Sequence, residues 1–458
     1  MGASTKPRTR DRKLHFNVFI RSSGHHSAAW KHPLAVPEQD LSLDYYADLA
    51  AIAERGKLDS LFMADNYSGT WRRLEPFTLL SALAALTKRI GLIATVSTTY
   101  NEPYHVARKF ASLDHISGGR AAWNIVTGHS KADADNFGRP GHPDLEKRYE
   151  IGDEFVEVVK QLWDSWEEDA LVYDREANIA LITDKVHEIG FSGNYFRVKG
   201  PLNIPRPPQG HPVLVQAGSS EGGRELAAKT ADVIFTAQQT LAAAREFYAD
   251  VKSRLAKYGR TPDELLIMPG LALIIGDTEA EARELEAELN SLVDVEASLK
   301  RLSSYFTVDL TDYPLDAPVP LDKANPDAWK TSGITSRPGV VLDGARRENM
   351  TIRQFLYRSA GGHGHVTFTG SALQVADFIE TWFREYGCDG FNILPAIFPS
   401  GLEAFVDKVI PELQNRGLFR TEYEGKTLRE NLGLARPENR FKKHRTFRRG
   451  TAASSVAP

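Results

Sequence analysis

Two adjacent serines follow a short apolar run near the middle of the chain and could bind an anion. The apolar run 213–217 ends before Gly218-Ser-Ser220, and a helix-forming segment begins at Glu221. This pattern predicts a buried strand, a tight turn and a helix N-terminus. Backbone N–H groups, two hydroxyls and the positive end of a helix dipole would then surround a phosphate. Taken alone, the segment is better explained as an ordinary N-capped turn, but the same strand-then-helix unit recurs along the chain.

Polar side chains also follow the other apolar runs that are predicted to be strands. They are Ser22, Ser23, His25 and His26 after the first run, Asp65 after the second, Ser97, Thr98 and Thr99 after the third, and Asn124, Thr127, His129 and Ser130 in or after the fourth. Side chains of these types bind cofactors and transfer protons. Arg148 and Tyr149 open a later helix, and arginine is a natural bidentate partner of phosphate.

Each of these residues also has an interpretation without a ligand. The His25-His26 pair could lie in a surface loop, and Asp65 could cap the next helix. Asn124 could satisfy buried backbone groups. The Arg148-Tyr149 pair could simply begin a helix.

His363 and His365 stand two residues apart in Gly361-Gly-His-Gly-His365, a spacing that lets two histidines on a strand share one metal ion. No carboxylate or cysteine lies close by in sequence, so no metal site is predicted. The chain also lacks H-E-x-x-H, the nucleophile elbow G-x-S-x-G and a P-loop.

The elements that must position these residues alternate between strand and helix. Apolar runs predict strands at 15–20, 58–65, 90–99, 120–127, 213–218, 232–237, 265–275 and 389–395. Helical patterns follow at 41–55, 76–87, 103–117, 148–166, 221–230, 241–258, 278–299, 372–386 and 402–416. Such alternation predicts a parallel sheet, and eight repeats favour a closed (β/α)8 TIM barrel. In this fold the reactive side chains lie at the carboxyl-terminal ends of the strands.

Three segments interrupt the alternation and are predicted to be insertions in a barrel that spans 14–420. They lie near 130–147, near 185–200, where Gly190–Phe196 reads as a hairpin, and near 303–362. Residues 1–13 are predicted to be a disordered basic leader. Residues 421–458 are predicted to form a C-terminal arm and tail that could pack on a neighbouring subunit.

Composition excludes several classes of protein. The net charge of the 458 residues is −4, which gives no indication of nucleic-acid or membrane-surface binding. Cys388 is the one cysteine, so the chain can form no internal disulfide. No apolar run is long enough to span a membrane, and no secretory signal is evident. The chain is therefore predicted to be cytoplasmic.

Several motifs in the same order resemble those of a known family. They are Gly24-His-His-Ser-Ala-Ala-Trp-Lys-His-Pro33, Leu61-Phe-Met-Ala-Asp65, Ser97-Thr-Thr-Tyr-Asn-Glu-Pro-Tyr-His105, Ala111-Ser-Leu-Asp-His-Ile-Ser-Gly-Gly-Arg-Ala-Ala-Trp-Asn-Ile-Val-Thr127, Gln216-Ala-Gly-Ser-Ser220 and Pro411-Glu-Leu-Gln-Asn-Arg-Gly-Leu-Phe-Arg420. The chain resembles the flavin-dependent monooxygenases of the nitrilotriacetate and dibenzothiophene-sulfone monooxygenase group, a branch of the bacterial-luciferase-like proteins.

The resemblance implies a TIM barrel that binds reduced FMN supplied by a separate NAD(P)H:flavin reductase. Reduced FMN then reacts with O2, and one oxygen atom enters a small organic substrate. By position, the resemblance assigns the flavin ring and ribityl chain to Asp65, Thr98 and Asn124, and the phosphate to Ser130, Arg148, Tyr149, Ser219 and Ser220. It assigns catalytic positions to His26, His129, His363 and His365. A homodimer or homotetramer is also implied.

One departure from the family pattern lies just before the phosphate arginine. Relatives often have a histidine three residues before the Arg-Tyr pair, and this chain has Leu145. One contact is therefore predicted to be missing or supplied from elsewhere.

The reaction itself is predicted less narrowly than the cofactor. Relatives oxidise aminopolycarboxylates, sulfones, alkanes and natural products, and oxidation at a carbon–sulfur or carbon–nitrogen centre is the reading favoured here. Two alternatives stay open at this point. They are a deazaflavin-dependent oxidoreductase with the same barrel and a flavin-binding protein without catalysis.

Overall fold

The computed structural model describes residues 12–69, 73–128, 131–326 and 336–442. Its strands are β1 His15–Phe19, β2 Ser60–Met63, β3 Gly91–Ser97, β4 Ala121–Val126, β5 Leu171–Asp174, β6 Ile179–Leu181, β7 Phe191–Ser192, β8 Arg197–Val198, β9 Val213–Ala217, β10 Val233–Thr236, β11 Leu266–Gly276, β12 Val366–Ser371 and β13 Gly390–Pro395. Its helices are α1 Leu43–Arg55, α2 Pro76–Leu86, α3 Pro103–Ser117, α4 Lys131–Asn136, α5 Leu145–Asp164, α6 Glu221–Thr230, α7 Leu241–Arg254, α8 Glu279–Ser291, α9 Val295–Ser303, α10 Ser336–Arg347, α11 Ile352–Gly362, α12 Ala372–Arg384, α13 Ser400–Ala404, α14 Ile410–Asn415 and α15 Leu428–Asn431.

Eight parallel strands close into a barrel. Their order is β1, β2, β3, β4, β9, β10, β11 and β13, and β13 pairs with β1 to complete the ring. Outward-facing side chains pack beneath the helices, while inward-facing side chains fill the barrel, so strands such as β3 are buried along their whole length. The predicted (β/α)8 barrel is confirmed.

A further strand extends the sheet beyond the barrel rim. The first part of β11 pairs with β10, and its second part, from Leu271 to Gly276, pairs with β12. Sequence analysis predicted no strand at Val366–Ser371. The run reads Val-Thr-Phe-Thr-Gly-Ser, which has too few apolar residues to stand out as a buried strand. Its valine, threonines and phenylalanine nevertheless favour a strand, and β11 supplies the pairing.

The helix predicted at 278–299 is wrong in its extent, because the structure divides it into α8 and α9. Asp294 accepts a hydrogen bond from the backbone N–H of Ala297 and thereby caps the start of α9. An aspartate in this position favours a new helix start over a continuous helix.

The insertions hold secondary structure of their own. The first contains α4, and the second contains the antiparallel β7–β8 pair. A second hairpin, β5–β6, precedes that pair, so the segment between α5 and β9 is longer than the predicted insertion. The third contains α10 and α11, whose apolar side chains form a separate cluster that includes Val341, Leu342, Phe355 and Leu356.

Both terminal segments of the described part of the chain pack against the barrel. Arg12, within the predicted leader, donates hydrogen bonds to the Cys388 carbonyl (2.9 Å) and to Asp389 Oδ1 (3.0 Å). The arm after residue 420 does not extend away. Leu428 and Leu432 join the side chains that fill the amino-terminal end of the barrel, so the arm closes the barrel of its own chain. None of the helices in the described ranges has the length and apolar composition needed to span a bilayer.

Candidate active site

A cavity of about 240 Å³ lies at the carboxyl-terminal ends of β2, β4 and β9. Five of the eight residues predicted to bind the cofactor line it, namely Asp65, Arg148, Tyr149, Ser219 and Ser220. They come from the ends of two strands, β2 and β9, and from the start of α5. The barrel thus brings together residues that are 155 positions apart at most in the chain (Asp65 to Ser220), as the strand-end argument predicts.

The turn between β9 and α6 has the geometry of an anion cradle. The Ser220 hydroxyl caps α6 by accepting a hydrogen bond from the backbone N–H of Gly223 (3.2 Å), and Tyr149 Oη lies 2.8 Å from the same hydroxyl oxygen. A Cβ on Gly222 would lie 2.9 Å from the Tyr149 ring, so glycine lets that ring approach the helix. Ser219 Oγ lies 3.1 Å from Thr236 Oγ1. The turn is therefore held by side chains around the positive end of α6.

Arg148 is buried with only 3% of its surface exposed, yet it pairs with no carboxylate in the described part of the chain. Its Nη1 donates to the Gly128 carbonyl and to His142 Nε2 (3.0 Å). Its Nε is buried and has no hydrogen-bond partner. A buried cation is costly unless a partner compensates its charge. An anion in the cavity would supply that partner, so the residues present fit a phosphate-bearing cofactor.

Two carboxylates stand on the same cavity. Burial raises the pKa of Asp65 from 3.8 to about 6, with Glu75 and Asp133 adding to the rise. Asp133 is almost fully buried, lines the cavity, and keeps an Oδ1 atom with no hydrogen-bond partner. Sequence analysis did not single out Asp133, because it lies in an insertion with no strand end to mark it. Both groups can accept hydrogen bonds from hydroxyl or N–H groups of a bound molecule.

Thr98 and Asn124 are buried close to the cavity but do not line it. The Thr98 hydroxyl lies 3.5 Å from the Val126 carbonyl and packs near Gly152 of α5. Asn124 donates to Thr95 Oγ1 (2.8 Å), and its own Oδ1 is buried without a hydrogen-bond partner. His129 and Ser130 lie outside the described residues.

The predicted catalytic histidines do not form one constellation. His26 lies on a second cavity of about 450 Å³, which β11, β12, α8 and α11 enclose. The Ala28 N–H donates to its Nδ1 (3.3 Å), so its Nε2 carries the proton and donates to Asn290 Oδ1 (3.3 Å). Burial lowers the pKa of His26, which keeps the ring neutral at pH 7.

His25 points the other way, although it is the next residue in the chain. Its Nε2 lies 2.8 Å from the Phe19 carbonyl, and burial lowers the pKa of His25 to about 3. His365 is also turned inward, and its ring stacks on Phe235 of β10 at 5.0 Å. His363 ends α11 with φ +47° and places its Nε2 2.9 Å from the His25 carbonyl. The His365 ring therefore packs against Phe235 of β10, and the His363 side chain attaches the end of α11 to the segment after β1.

Although Leu145 stands where relatives often have a histidine, another histidine contacts Arg148. Leu145 lines the cavity with an apolar side chain, and His142, three residues earlier, contacts Arg148. Sequence analysis did not assign a role to His142. The absence of the family histidine at residue 145 was the signal that could have directed attention to the nearby His142.

Comparison with known proteins agrees with this geometry. A family model described as luciferase-like monooxygenase matches residues 16–383. The chain is 48% identical to N-acetyl-S-(2-succino)cysteine monooxygenase of Bacillus subtilis (strain 168), over 95% of this chain and 100% of that protein. It is 47% identical to nitrilotriacetate monooxygenase component A of Aminobacter aminovorans, over 94% and 98% of the two chains.

A solved structure shows the same architecture. The EDTA monooxygenase (EmoA) from Chelativorans sp. BNC1 superposes with a TM-score of 0.75 and 33% sequence identity, and the match covers 93% of this chain and 99% of that one. The match to the family model and to nearly full-length relatives leads to one conclusion. The chain belongs to the luciferase-like monooxygenase family and is a flavin-dependent monooxygenase.

Proposed function

We propose that the enzyme binds reduced FMN in the 240 Å³ cavity and uses O2 to oxygenate a small organic compound. The observation that carries the FMN assignment is Arg148, a buried arginine that lines the cavity without a carboxylate partner in the described residues. The N-terminus of α6, with Ser219 and Ser220, lines the same cavity. An arginine, two hydroxyls and free backbone N–H groups together favour a phosphate monoester, which FMN has and riboflavin lacks.

The remaining polar groups suit the rest of the cofactor. Asp65 and Asp133 can accept hydrogen bonds from ribityl hydroxyls or ring N–H groups. Asn124 has a buried oxygen that can accept one more from a group that enters the barrel, and Thr98 supports α5 behind the cavity. Ser130, next to the described α4, stays a predicted phosphate ligand. Reduced flavin, when bound, supplies the electrons that oxygen insertion requires.

Different roles follow for the histidines. We assign proton transfer near the reacting centre to His365, which lies with Phe235 at the barrel mouth. His26 presents its ring to the 450 Å³ cavity, where it can contact a substrate. His363 anchors α11, and His129 stays a predicted catalytic residue.

The partners are proposed from the relatives and from the surface. One relative is named as a component, which supports a separate NAD(P)H:flavin reductase for this enzyme. The two relatives with almost half their residues identical act on an S-substituted cysteine and on nitrilotriacetate, which supports oxidation at a carbon–sulfur or carbon–nitrogen centre. Exposed apolar side chains between β1 and α1, among them Trp30, Leu34 and Leu41, support a homodimer or homotetramer. Light scattering after gel filtration measures that state.

The test of the proposed function is anaerobic titration with photoreduced FMN, followed by rapid mixing with O2. We expect saturable binding and reoxidation slower than that of free flavin, because a dry site protects the reacting centre from water. With a substrate, isotopically labelled O2 should leave one labelled atom in the product. Absence of binding, or reoxidation as fast as in solution, would overturn the proposal and direct the same titration to a deazaflavin.

A further inference from the structure

His142 bridges the phosphate arginine to the aromatic side of the cavity. It lies in the connection between α4 and α5, where its Nε2 is 3.0 Å from Arg148 Nη1 and its Nδ1 is 2.6 Å from Tyr100 Oη. A guanidinium group can only donate hydrogen bonds, so Nε2 must accept. The proton of the neutral ring is then on Nδ1, which donates to the tyrosine oxygen. The contacts fix both the charge and the tautomer of His142.

The backbone at Gly128 makes room for this arrangement. Gly128 has φ +70°, and a Cβ at this position would lie 3.0 Å from His142 Cε1. The Gly128 carbonyl also accepts a hydrogen bond from Arg148 Nη1. A glycine at residue 128 therefore serves two contacts at once, because it lets the imidazole approach and lets its own carbonyl reach the guanidinium.

The Gly128 carbonyl and the His142 imidazole both accept from a single nitrogen of Arg148, its Nη1. Nη1 carries two hydrogens, which go to the Gly128 carbonyl and to His142, while Nε is buried without a hydrogen-bond partner. Both acceptors are uncharged, so they orient the guanidinium without neutralising it. A carboxylate in place of either would compensate the positive charge that an anionic ligand needs.

We propose that His142 is a positioning residue for the cofactor phosphate: as a neutral acceptor, it holds Arg148 with its remaining donors available to the anion. This inference rests on the proposed binding of FMN in the cavity. It also explains how the chain tolerates Leu145, since the imidazole comes from the preceding loop. Burial, followed by the charge of Arg148, lowers the pKa of His142 and so favours the neutral ring that the geometry requires.

The loop that holds His142 is attached through aromatic rings. Tyr100 stacks on Phe137 with ring centres 4.7 Å apart, and Tyr67 meets Tyr100 edge-on at 5.7 Å. The Tyr100 hydroxyl oxygen accepts a hydrogen bond from His142 Nδ1, so the orientation of Arg148 depends on packing between the end of β3 and the α4–α5 connection. Phosphate affinity is thereby linked to contacts made outside the cavity.

The experiment compares photoreduced FMN with photoreduced riboflavin under anaerobic conditions, because the two ligands differ only in the phosphate. Dissociation constants for both would be measured by calorimetry on wild type, His142→Leu and His142→Gln, with thermal melting as the check on folding. Leucine removes the acceptor, and we expect FMN to bind about tenfold more weakly while riboflavin changes less than about twofold. Glutamine offers an amide oxygen to Arg148 and should restore FMN binding to within about threefold of wild type.

Repeating the His142 substitution in a protein that lacks Arg148 tests whether His142 acts through that arginine. In an Arg148→Met protein, His142→Leu should add no further loss of FMN affinity, since the two residues act as one unit. Equal losses for FMN and riboflavin, an unchanged FMN affinity, or full additivity with Arg148→Met would overturn the inference. If wild type binds FMN more tightly than riboflavin, such a result refutes only the role of His142. If wild type does not bind FMN, the proposed function fails first, and the inference with it.

Discussion

Arg429 and Arg420, at the amino-terminal end of the barrel, face carboxylates, whereas Arg148 at the carboxyl-terminal end faces a carbonyl and an imidazole. Arg429 pairs with Asp232 at 2.7 Å, and Arg420 pairs with Asp59. Both pairs join the C-terminal part of the chain, from residue 420 onward, to the residue just before a strand. A buried arginine with an acid beside it stabilises the fold. Neutral partners alone do not mark a ligand site, because buried Arg120 donates from all three of its nitrogens to backbone carbonyls and to the Thr87 hydroxyl. Arg148 differs because it lines a cavity and its Nε has no hydrogen-bond partner, so it keeps a donor for a ligand.

The largest effect should come from breaking a pair at the closed end. Arg429→Ala removes the ion-pair partner of buried Asp232 and leaves more distant groups such as Arg260 to compensate its charge, so we expect it to lower the free energy of unfolding by about 3–5 kcal/mol. Urea denaturation measures this loss. Arg55→Ala is the matched control, because Arg55 and Asp407 form an exposed pair whose removal should cost about 1 kcal/mol or less. The folded fraction of Arg429→Ala should bind FMN like wild type, and a weaker affinity would contradict the division between the two ends.

Arg148→Met tests the opposite end. We expect FMN affinity to fall about tenfold to a hundredfold, because hydrogen bonds to a charged group contribute about 1.5–3 kcal/mol. The free energy of unfolding without ligand should stay the same or rise, since removing the arginine also removes the cost of burying its charge. Calorimetry with FMN and riboflavin, together with urea denaturation, measures both. A stability loss as large as that of Arg429→Ala would show that Arg148 serves the fold instead.

Asp65, at the cavity end of the barrel, should make the stability of the protein depend on pH. Its pKa is raised from 3.8 to about 6, so between these values the folded protein binds more protons than the unfolded chain. Its contribution therefore makes stability fall as the pH rises through this window, by about 1–2 kcal/mol once partial exposure is allowed for. Asp65→Asn should remove that slope. Urea denaturation of wild type and Asp65→Asn at several pH values measures how stability changes with pH in each protein. The same change in both would refute the raised pKa of Asp65.

The smallest predicted effect separates capping from cofactor binding. Ser220→Ala and Ser371→Ala each remove the N-cap of a helix, α6 and α12, and each should cost about 1 kcal/mol of stability. Only Ser220→Ala should also weaken FMN binding, because Ser220 lines the cavity and Ser371 does not. Melting temperatures and FMN titrations of the two variants give the answer. A similar change in FMN affinity in both would argue that the hydroxyl of Ser220 only caps α6.

Strand ends could be predicted from sequence because they combine two local signals. The apolar run before Ser219 and the helix after it mark β9 and α6, and the structure places them at Val213–Ala217 and Glu221–Thr230. Because parallel strands share a polar edge, the convergence of Asp65, Arg148 and Ser220 followed from the fold class alone.

The remaining features depend on contacts that local patterns do not encode. His25 and His26 are neighbours in a bend after β1, which has no regular period, so the sequence could not tell which of the two side chains faced inward. β12 has too few apolar residues to be recognised as a buried strand from its own sequence, and its pairing with β11 joins segments far apart in the chain. The contact between His142 and Tyr100 joins residues 42 positions apart through a loop of no regular period.

The C-terminal arm imposes an order on the assembly of the enzyme during synthesis. Leu428, Leu432 and Arg429 leave the ribosome after every barrel strand, yet they fill and pair the amino-terminal end of that barrel. At about 5–20 residues per second, a nascent chain spends seconds with β1 to β13 made and Asp232 still without its arginine. A chain that terminates before residue 428 would keep every cavity residue and still lack its closure. The amino-terminal end of the barrel can therefore be closed only after all of its strands have been made.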